Sequence, residues 1–180
     1  MSYAIAPNEL SLADRKVFVA GAVDAGIKRG MNKLGVSPNE LVVREALPLT
    51  DFPGAYATEH YVSPAIAAIG WGFAGSGAAV GVLPVGRVAV FYKGADADAA
   101  PAFTAVRFRL GPTGATTLAS FFFQLVIDNK QESDFYFTEP VTYDPQDNVF
   151  IQAYSRIAAH AAEELSFGCF IVEKVGSVIS

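Results

Sequence analysis

Apolar and polar positions alternate along much of the second half of the chain, which is the pattern of half-buried β-strands. In residues 104–110, Val106 and Phe108 fall on one face, and Arg107 and Arg109 fall on the other. Residues that favour turns (Gly, Pro, Asp and Asn) separate such segments. The predicted strands are 87–93, 104–110, 116–128 (one long strand or two), 134–138, 141–143, 148–154 and 167–174, with a short helix at 157–165. About seven or eight short strands with turns between them are typical of a β-sandwich or barrel.

The first third of the chain has helical spacing instead. Ser11 and Asp14 form a capping-box pattern, which predicts the beginning of a helix. Apolar residues then recur among charged ones through residues 12–34. The segment contains three glycines, Gly21, Gly26 and Gly30. Each glycine costs about 1 kcal/mol relative to alanine, so the predicted helix is weak on propensity alone.

A second capping signal follows at residues 37–40, with proline at the first helical position. The next residues have two readings that the sequence leaves open. Residues 41–46 form a short helix that ends before Pro48, or residues 41–44 form a strand because two β-branched valines stand there.

The segment 61–86 contains 26 consecutive positions without a charged side chain. This length is enough for a helix to span a membrane. Pro64, Pro84 and six glycines argue against a spanning helix, because lipid cannot replace the backbone hydrogen bonds that they break. We therefore expect loops or strands packed within an assembly, with Trp71 and Phe73 as anchors of an intersubunit contact. Insertion into a membrane interface is the alternative, and it is not favoured because no basic face accompanies the segment.

Composition supports self-association. Of the 180 residues, 52% are hydrophobic and 17% are charged, whereas about 25% of an ordinary globular chain is charged. So few charges leave apolar surface that other subunits, or a membrane, would cover. The net charge is −5, and residues 94–180 carry eleven acidic and five basic side chains. Nucleic-acid binders carry a dense basic face or arm, which this sequence lacks, so we expect no direct contact with nucleic acid.

Candidate cofactor- and metal-binding residues lack the sequence context that their chemistry needs. Residues 70–75 match the pattern GxGxxG, but no good helix-forming segment follows, so no nucleotide cofactor is expected. His160 and Glu163 have helical spacing, yet the chain has two histidines and one cysteine, which leaves a transition-metal site incomplete. The acidic segments 96–98 and 144–148 suit turns better than calcium loops. No bound metal is expected.

Cys169 is the single cysteine of the sequence, so no internal disulfide is possible. Its neighbours are apolar, and we expect a buried, unreactive thiol. Neither His60 nor His160 stands in a recognisable nucleophile motif, and no GxSxG occurs. We therefore expect no catalytic residues and no enzymatic activity. The first residues lack the features of a signal peptide, which predicts synthesis in a cytoplasm.

With these residues in view, the β-rich half resembles the single jelly-roll proteins of icosahedral viruses and phages. The resemblance rests on strands rich in Phe and Val such as 121–126, on the run 136–144 that a proline divides, and on the apolar closing strand 167–174. It covers about half of the chain. It implies a mainly β fold: a single jelly-roll-like β-sandwich or barrel, residues 51–180, after an N-terminal helical arm, residues 1–50.

Within this group the chain is most similar to small capsid proteins of tailless, membrane-containing phages, or to a decoration protein of a tailed phage. The resemblance implies a virion structural protein that binds copies of itself and other virion proteins, and that resides in the virion after synthesis in the host cytoplasm. The sequence lacks the basic arm of capsid proteins that package genomes directly. Carbohydrate-binding sandwiches share the architecture, so a module that binds carbohydrate or a small ligand is the alternative.

Overall fold

Strands make up most of the regular structure. The computed structural model describes residues 2–5, 10–61, 69–76, 81–96, 102–111, 113–123, 134–157 and 164–176. Its helices are α1 (Leu12–Leu34) and α2 (Pro48–Asp51), with a 3₁₀ turn at Pro38–Glu40 between them. The strands in the described ranges are β1 (Ser2–Ile5), β2 (Leu41–Glu45), β3 (Gly70–Phe73), β4 (Gly81–Val82), β5 (Arg87–Asp96), β6 (Phe103–Leu110), β7 (Thr116–Phe122), β8 (Asp134–Tyr143), β9 (Asn148–Ser155) and β10 (Leu165–Lys174).

The strands form the two layers of a β-sandwich. The first sheet has the order β2-β10-β5-β8, and the second has the order β3-β9-β6-β7, with β4 paired to the start of β9. β1 connects the two sheets. Its residues Ala4 and Ile5 pair antiparallel with β8, and Ser2 and Tyr3 pair parallel with β7. The predicted mainly β sandwich with an N-terminal helix is confirmed.

The strand pairs are nested along the chain. With β1 and β4 set aside, the first remaining strand pairs with the last, β2 with β10, and the inner pairs are β3 with β9, β5 with β8, and β6 with β7. All four pairs are antiparallel. The chain therefore runs out and back like one long hairpin. Two further pairs, β10 with β5 and β9 with β6, join its strands into layers.

Aromatic rings fill the space between the two sheets. Phe91, Phe108, Phe121 and Phe137 are all buried. The Phe108 and Phe137 rings pack edge to face with 5.3 Å between their centroids, and Phe121 stacks on Phe137 at 4.3 Å. Burial of each phenylalanine contributes about 1.5–3 kcal/mol to folding. These rings come from both sheets, so the sandwich is held together by its aromatic core.

α1 begins and ends where the sequence predicted. The Ser11 hydroxyl accepts a hydrogen bond from the Asp14 N–H at 3.2 Å, and the Asp14 carboxylate accepts one from the Ser11 N–H at 3.1 Å. This capping box satisfies two backbone donors that the first turn leaves free. At the other end, Gly35 has a φ of +66° and its N–H donates to the Met31 carbonyl, a left-handed cap that glycine adopts without strain.

Two glycines of α1 form its contact with the outer side of the first sheet. A Cβ on Gly26 would lie 2.9 Å from a Val172 methyl carbon and 3.0 Å from one of Val90. A Cβ on Gly30 would lie 3.0 Å from Val172 and 3.2 Å from Leu41. The missing side chains let the helix approach the sheet closely. Two of the three glycines that weaken the isolated helix, Gly26 and Gly30, are therefore residues that dock it on the sheet.

Charged side chains also hold α1 in place. Arg29 donates two hydrogen bonds to the Asp144 carboxylate, at 2.6 and 2.7 Å, and the Lys33 ammonium lies 2.8 Å from the same group. Burial of Asp144 opposes its ionisation, but the hydrogen bonds from Arg29 and Lys33 outweigh burial and hold the pKa of Asp144 below its ordinary value. Packing and charge together fix the helix to the sandwich.

Several predicted strand boundaries change in the structure. Residues 41–45 form β2, so the strand is the correct one of the two readings, and the first fifty residues supply β1 and β2 as well as α1. The predicted proline break in the 134–143 region is a register shift within one strand. Residues 137–140 of β8 separate two sets of pairs with β5, because Pro140 cannot donate a ladder hydrogen bond. β5 continues past its predicted end at Gly94, which pairs with Phe135.

The uncharged segment 61–86 includes the strands β3 and β4, and its packing within an assembly stays a prediction. Residues 62–68 and 77–80 of this segment lie outside the described residues. The same is true of 124–133 and 158–163, where the end of a predicted strand and most of a predicted helix fall. In the described ranges, no helix has both the length and the apolar character needed to cross a membrane.

Candidate interaction surface

The two outer sides of the sandwich are covered to different extents. α1 covers the first sheet, where Phe18, Val90 and Val172 belong to one apolar cluster. On the second sheet, the large outward side chains of β3 and β9, and Arg107 and Arg109 of β6, are only partly buried. This outer side is named the aromatic face, and it comprises Trp71, Phe73, Arg107, Arg109, Phe150, Gln152 and Tyr154.

The strand register places these side chains on one side of the sheet. Trp71 is opposite Tyr154, and Phe73 is opposite Gln152. Gln152 is in turn opposite Arg107 on β6. Directly opposed residues of antiparallel strands point to the same face of a sheet. The two residues predicted as anchors of a contact, Trp71 and Phe73, therefore lie side by side on the aromatic face.

The rings of the aromatic face are held in fixed pairs. The Trp71 ring meets the Tyr154 ring edge to face, with 5.5 Å between centroids. Phe73 stacks on Phe150, also at 5.5 Å, with 16° between the ring planes. Such pairs contribute about 0.5–1.5 kcal/mol beyond the area they bury. The face is therefore a preformed apolar platform, which would lose little side-chain entropy when a partner binds.

Two arginines make this platform positive. The Arg107 guanidinium lies 4.2 Å from the centre of the Trp71 ring and donates to the Gln152 amide oxygen at 2.7 Å. Arg109 donates to the same oxygen at 3.2 Å. Burial and the neighbouring Arg109 charge lower the pKa of Arg107, because both disfavour its charged form. Neither arginine belongs to an ion pair with a described acidic residue.

The apolar surface continues onto β7. Ser120 is opposite Arg107, and Phe122 is opposite Ala105, so both point to the side of the aromatic face. Phe122 and Leu118 are 42% and 41% exposed. A soluble strand usually directs polar residues outward. Exposed apolar residues adjoining the aromatic face enlarge the area that a partner would bury.

A separate cluster of four charges has a structural role. Arg44 donates two hydrogen bonds to Asp51, at 2.7 and 2.8 Å, and one to Glu173 at 2.9 Å. Arg87 donates to the same two carboxylates, at 3.0 Å each. Asp51 and Glu173 are fully buried, and the bond from Arg44 to Asp51 raises the pKa of Arg44. Because both arginines engage both carboxylates, the cluster ties β2, α2, β5 and β10 together.

Where the structure describes them, the other candidate residues do not form a metal-binding cluster. Cys169 is buried, as predicted, and burial raises the pKa of its thiol. Residues 70–73 of the GxGxxG match form β3 itself rather than a loop before a helix. Glu59 accepts hydrogen bonds from the Thr50 hydroxyl and from backbone N–H groups of α2. His160 and Glu163 lie outside the described residues. Across the described ranges, no three His, Cys, Asp or Glu side chains cluster as metal ligands would.

Sequence reasoning missed most of the aromatic face. Arg107 and Arg109 were placed on the polar side of a predicted strand, without a role. In β9, Val149, Ile151 and Ala153 fall on one side, and the aromatic residues Phe150 and Tyr154 fall on the other side between Asn148 and Gln152. Aromatic residues on the second side of β9 were the available signal, because a strand of a two-layer sandwich needs only one apolar side. This signal could not indicate which side of the strand faces the core and which side remains uncovered.

Fold and surface together define a two-layer β-sandwich with one helix-covered side and one partly exposed aromatic side. A search against models of known protein families found no match. A search against curated protein sequences found none either.

Proposed function

We propose that the protein is a structural subunit of a virion, a capsid or capsid-decoration protein, which assembles with copies of itself through the aromatic face. The observation that carries this proposal is the partly exposed aromatic face opposite a helix-covered one. Aromatic side chains with arginine are enriched in the cores of protein–protein interfaces. Without a partner, these rings would keep apolar area in contact with water.

The nested strand pairs support a single jelly-roll fold for the sandwich. A jelly roll has eight strands in two sheets and is built from two Greek keys. Four nested antiparallel pairs are expected when an eight-stranded hairpin rolls into two layers. Viral capsid domains and lectin domains both use this fold. Since one fold hosts several functions, the choice of a virion subunit depends on the aromatic face.

A second copy of the chain is the partner that the charges favour. Arg107 and Arg109 make the aromatic face positive, whereas the whole chain carries a net charge of −5. Acidic side chains such as Glu139 on β8 are exposed elsewhere on the molecule. A copy therefore offers acidic surface that complements the arginines. A contact between two different surfaces of identical subunits generates rings or larger assemblies.

The test replaces both predicted anchors, Trp71→Ser with Phe73→Ser, in the full chain. Light scattering after size exclusion measures the mass over a wide concentration range, and electron microscopy examines any large fraction. We expect the wild type to form defined oligomers, rings or shells as concentration rises. We expect the double variant to stay smaller at every concentration, with unchanged circular dichroism, because the two rings are only partly buried.

The matched control replaces two exposed apolar residues away from the aromatic face, Val17→Ser with Val85→Ser, which are 69% and 77% exposed. This control should assemble like the wild type. A wild type that remains monomeric at all concentrations would contradict the proposal and favour a ligand-binding module. Equal loss of assembly in the control would show that general surface hydrophobicity, rather than the aromatic face, drives association.

A further inference from the structure

A cavity of about 320 Å³ opens where β5 loses its regular register with both neighbours. Along β10 and along β8, the pairing skips from Lys93 to Phe91, so Tyr92 between them has no cross-strand partner. Such irregularities re-aim side chains and are frequent beside binding sites. Small-molecule pockets measure about 300–1,000 Å³. The cavity is therefore large enough for a ligand of about one sugar ring.

Two glycines form part of the cavity wall, Gly94 and Gly168. A Cβ on Gly168 would lie 2.8 Å from a ring carbon of Tyr92, and a Cβ on Gly94 would press against the Phe135 ring. A side chain at Gly168 would displace Tyr92, which borders the cavity, and a side chain at Gly94 would displace the buried ring of Phe135, the neighbour in sequence of the lining residue Asp134. The shape of the cavity therefore depends on glycine at both positions.

Polar groups of both signs line the cavity. The Lys93 ammonium lies 3.3 Å from the Asp134 carboxylate, and both side chains are partly exposed. Glu45 contributes a second carboxylate and Ser166 a hydroxyl. An anion would meet two carboxylates, and an apolar ligand would leave these groups without partners. The lining therefore suits a neutral ligand with several hydroxyl groups.

Tyr61, another lining residue, carries an unused hydrogen-bonding group. Its hydroxyl is buried and has no hydrogen-bond partner within the described chain. Its ring is fixed edge to face against Tyr56 and Phe167, at 5.1 and 5.7 Å between centroids. Burial raises the pKa of this phenol, so it stays a neutral donor. A buried hydroxyl without a partner is unfavourable, and a ligand hydroxyl would supply that partner.

We propose that this cavity binds a neutral saccharide of about one hexose unit. Sugar hydroxyls donate to the Asp134 and Glu45 carboxylates and accept from Lys93 and Tyr61. The cavity is lined largely by strands of the first sheet, whereas the aromatic face lies on the second sheet. Saccharide binding is thus a separate activity, which does not depend on assembly through the aromatic face.

The test titrates glucose, galactose, mannose and N-acetylglucosamine, each alone, into the ¹⁵N-labelled full chain and follows the amide signals by NMR. For at least one sugar we expect saturable shifts at Gly94 and Gly168, with a dissociation constant on the order of 1 mM. Tyr61→Phe removes the hydroxyl and keeps the ring. It should weaken binding about fivefold, the effect of one lost hydrogen bond.

The matched control is Tyr143→Phe, which also removes a buried tyrosine hydroxyl. That hydroxyl donates to the Arg109 carbonyl and does not line the cavity, so sugar affinity should stay at the wild-type value. Asp134→Asn provides a second variant in case Tyr61→Phe does not fold, and it should also weaken binding.

Absence of saturable shifts with all four sugars would overturn the proposal, as would shifts away from the cavity. Equal affinity in the wild type and the folded cavity variants would also overturn it. Light scattering tests assembly through the aromatic face, and the NMR titration tests saccharide binding in the cavity. Each proposal can therefore fail without the other.

Discussion

At the scale of single residues, two buried carboxylates share two partly buried arginines at the junction of four elements. Asp51 and Glu173 are fully buried, and each accepts hydrogen bonds from both Arg44 and Arg87. Removing charges from water is costly, and only complete pairing offsets that cost. The four side chains come from β2, α2, β5 and β10. Loss of one member therefore affects the junction of four elements at once.

We predict that Asp51→Ala lowers the free energy of unfolding by about 3–5 kcal/mol, because it leaves two largely buried arginines with one carboxylate, Glu173, in place of two. Urea unfolding followed by circular dichroism measures this change. The control is Asp24→Ala, which breaks the exposed pair between Asp24 and Lys28 and should cost no more than about 0.5 kcal/mol. A loss of less than about 1 kcal/mol for Asp51→Ala would mean that the cluster adds little net stability.

At the scale of elements, the position of α1 depends on where its glycines face. Gly26 meets Val172 and Val90, whereas a Cβ on Gly21 would have no neighbour within 4 Å. Alanine improves helix propensity by about 1 kcal/mol at either position. At Gly26 the added methyl must also displace packed valines, which costs about 1–3 kcal/mol.

We therefore predict opposite effects for two chemically identical substitutions. Gly21→Ala should raise the free energy of unfolding by up to about 1 kcal/mol, and Gly26→Ala should lower it by up to about 2 kcal/mol once the propensity gain is subtracted. Urea unfolding of both variants under the same conditions gives the comparison. If Gly26→Ala were as stabilising as Gly21→Ala, close docking of the helix on the sheet would not need glycine.

The elements differ in how well local sequence predicts them. The limits of α1 were predicted correctly because a capping box acts within one helical turn, and because apolar residues recur with helical spacing through residues 12–34. β6 and β9 were predicted because a half-buried strand repeats every two residues. The nested pairing was not predicted, since register depends on residues far apart in sequence. The role of Gly26 was missed for the same reason: its neighbours Val90 and Val172 belong to other elements.

At the scale of the whole molecule, the candidate surface follows from which sheet the helix covers. Trp71 and Phe73 could be selected from sequence because they stand in a long uncharged segment. Phe150 and Tyr154 could not, because either side of β9 could have faced the core. Only the placement of α1 on the first sheet leaves the outer side of the second sheet partly exposed. The aromatic face is thus a property of the assembled fold rather than of one segment.

The charges on this face predict how copies meet, if the proposed assembly holds. Two aromatic faces packed against each other would bring Arg107 and Arg109 towards the same arginines of the second copy, and like charges oppose association. A contact between the aromatic face and an acidic surface of the neighbour avoids this repulsion. Screening weakens attraction between opposite charges. We therefore predict that salt weakens self-association.

Sedimentation equilibrium at about 0.1 M and about 1 M NaCl, where the Debye length is about 10 Å and about 3 Å, measures the effect. The association constant of the wild type should fall with salt. Arg107→Gln with Arg109→Gln should associate more weakly at low salt and respond less to salt, because the attraction has been removed. Lys16→Gln with Lys28→Gln removes the same charge from the exposed side of α1 and should behave like the wild type. Association that strengthens with salt would instead indicate that two aromatic faces meet directly, since salt would then screen the repulsion between their arginines.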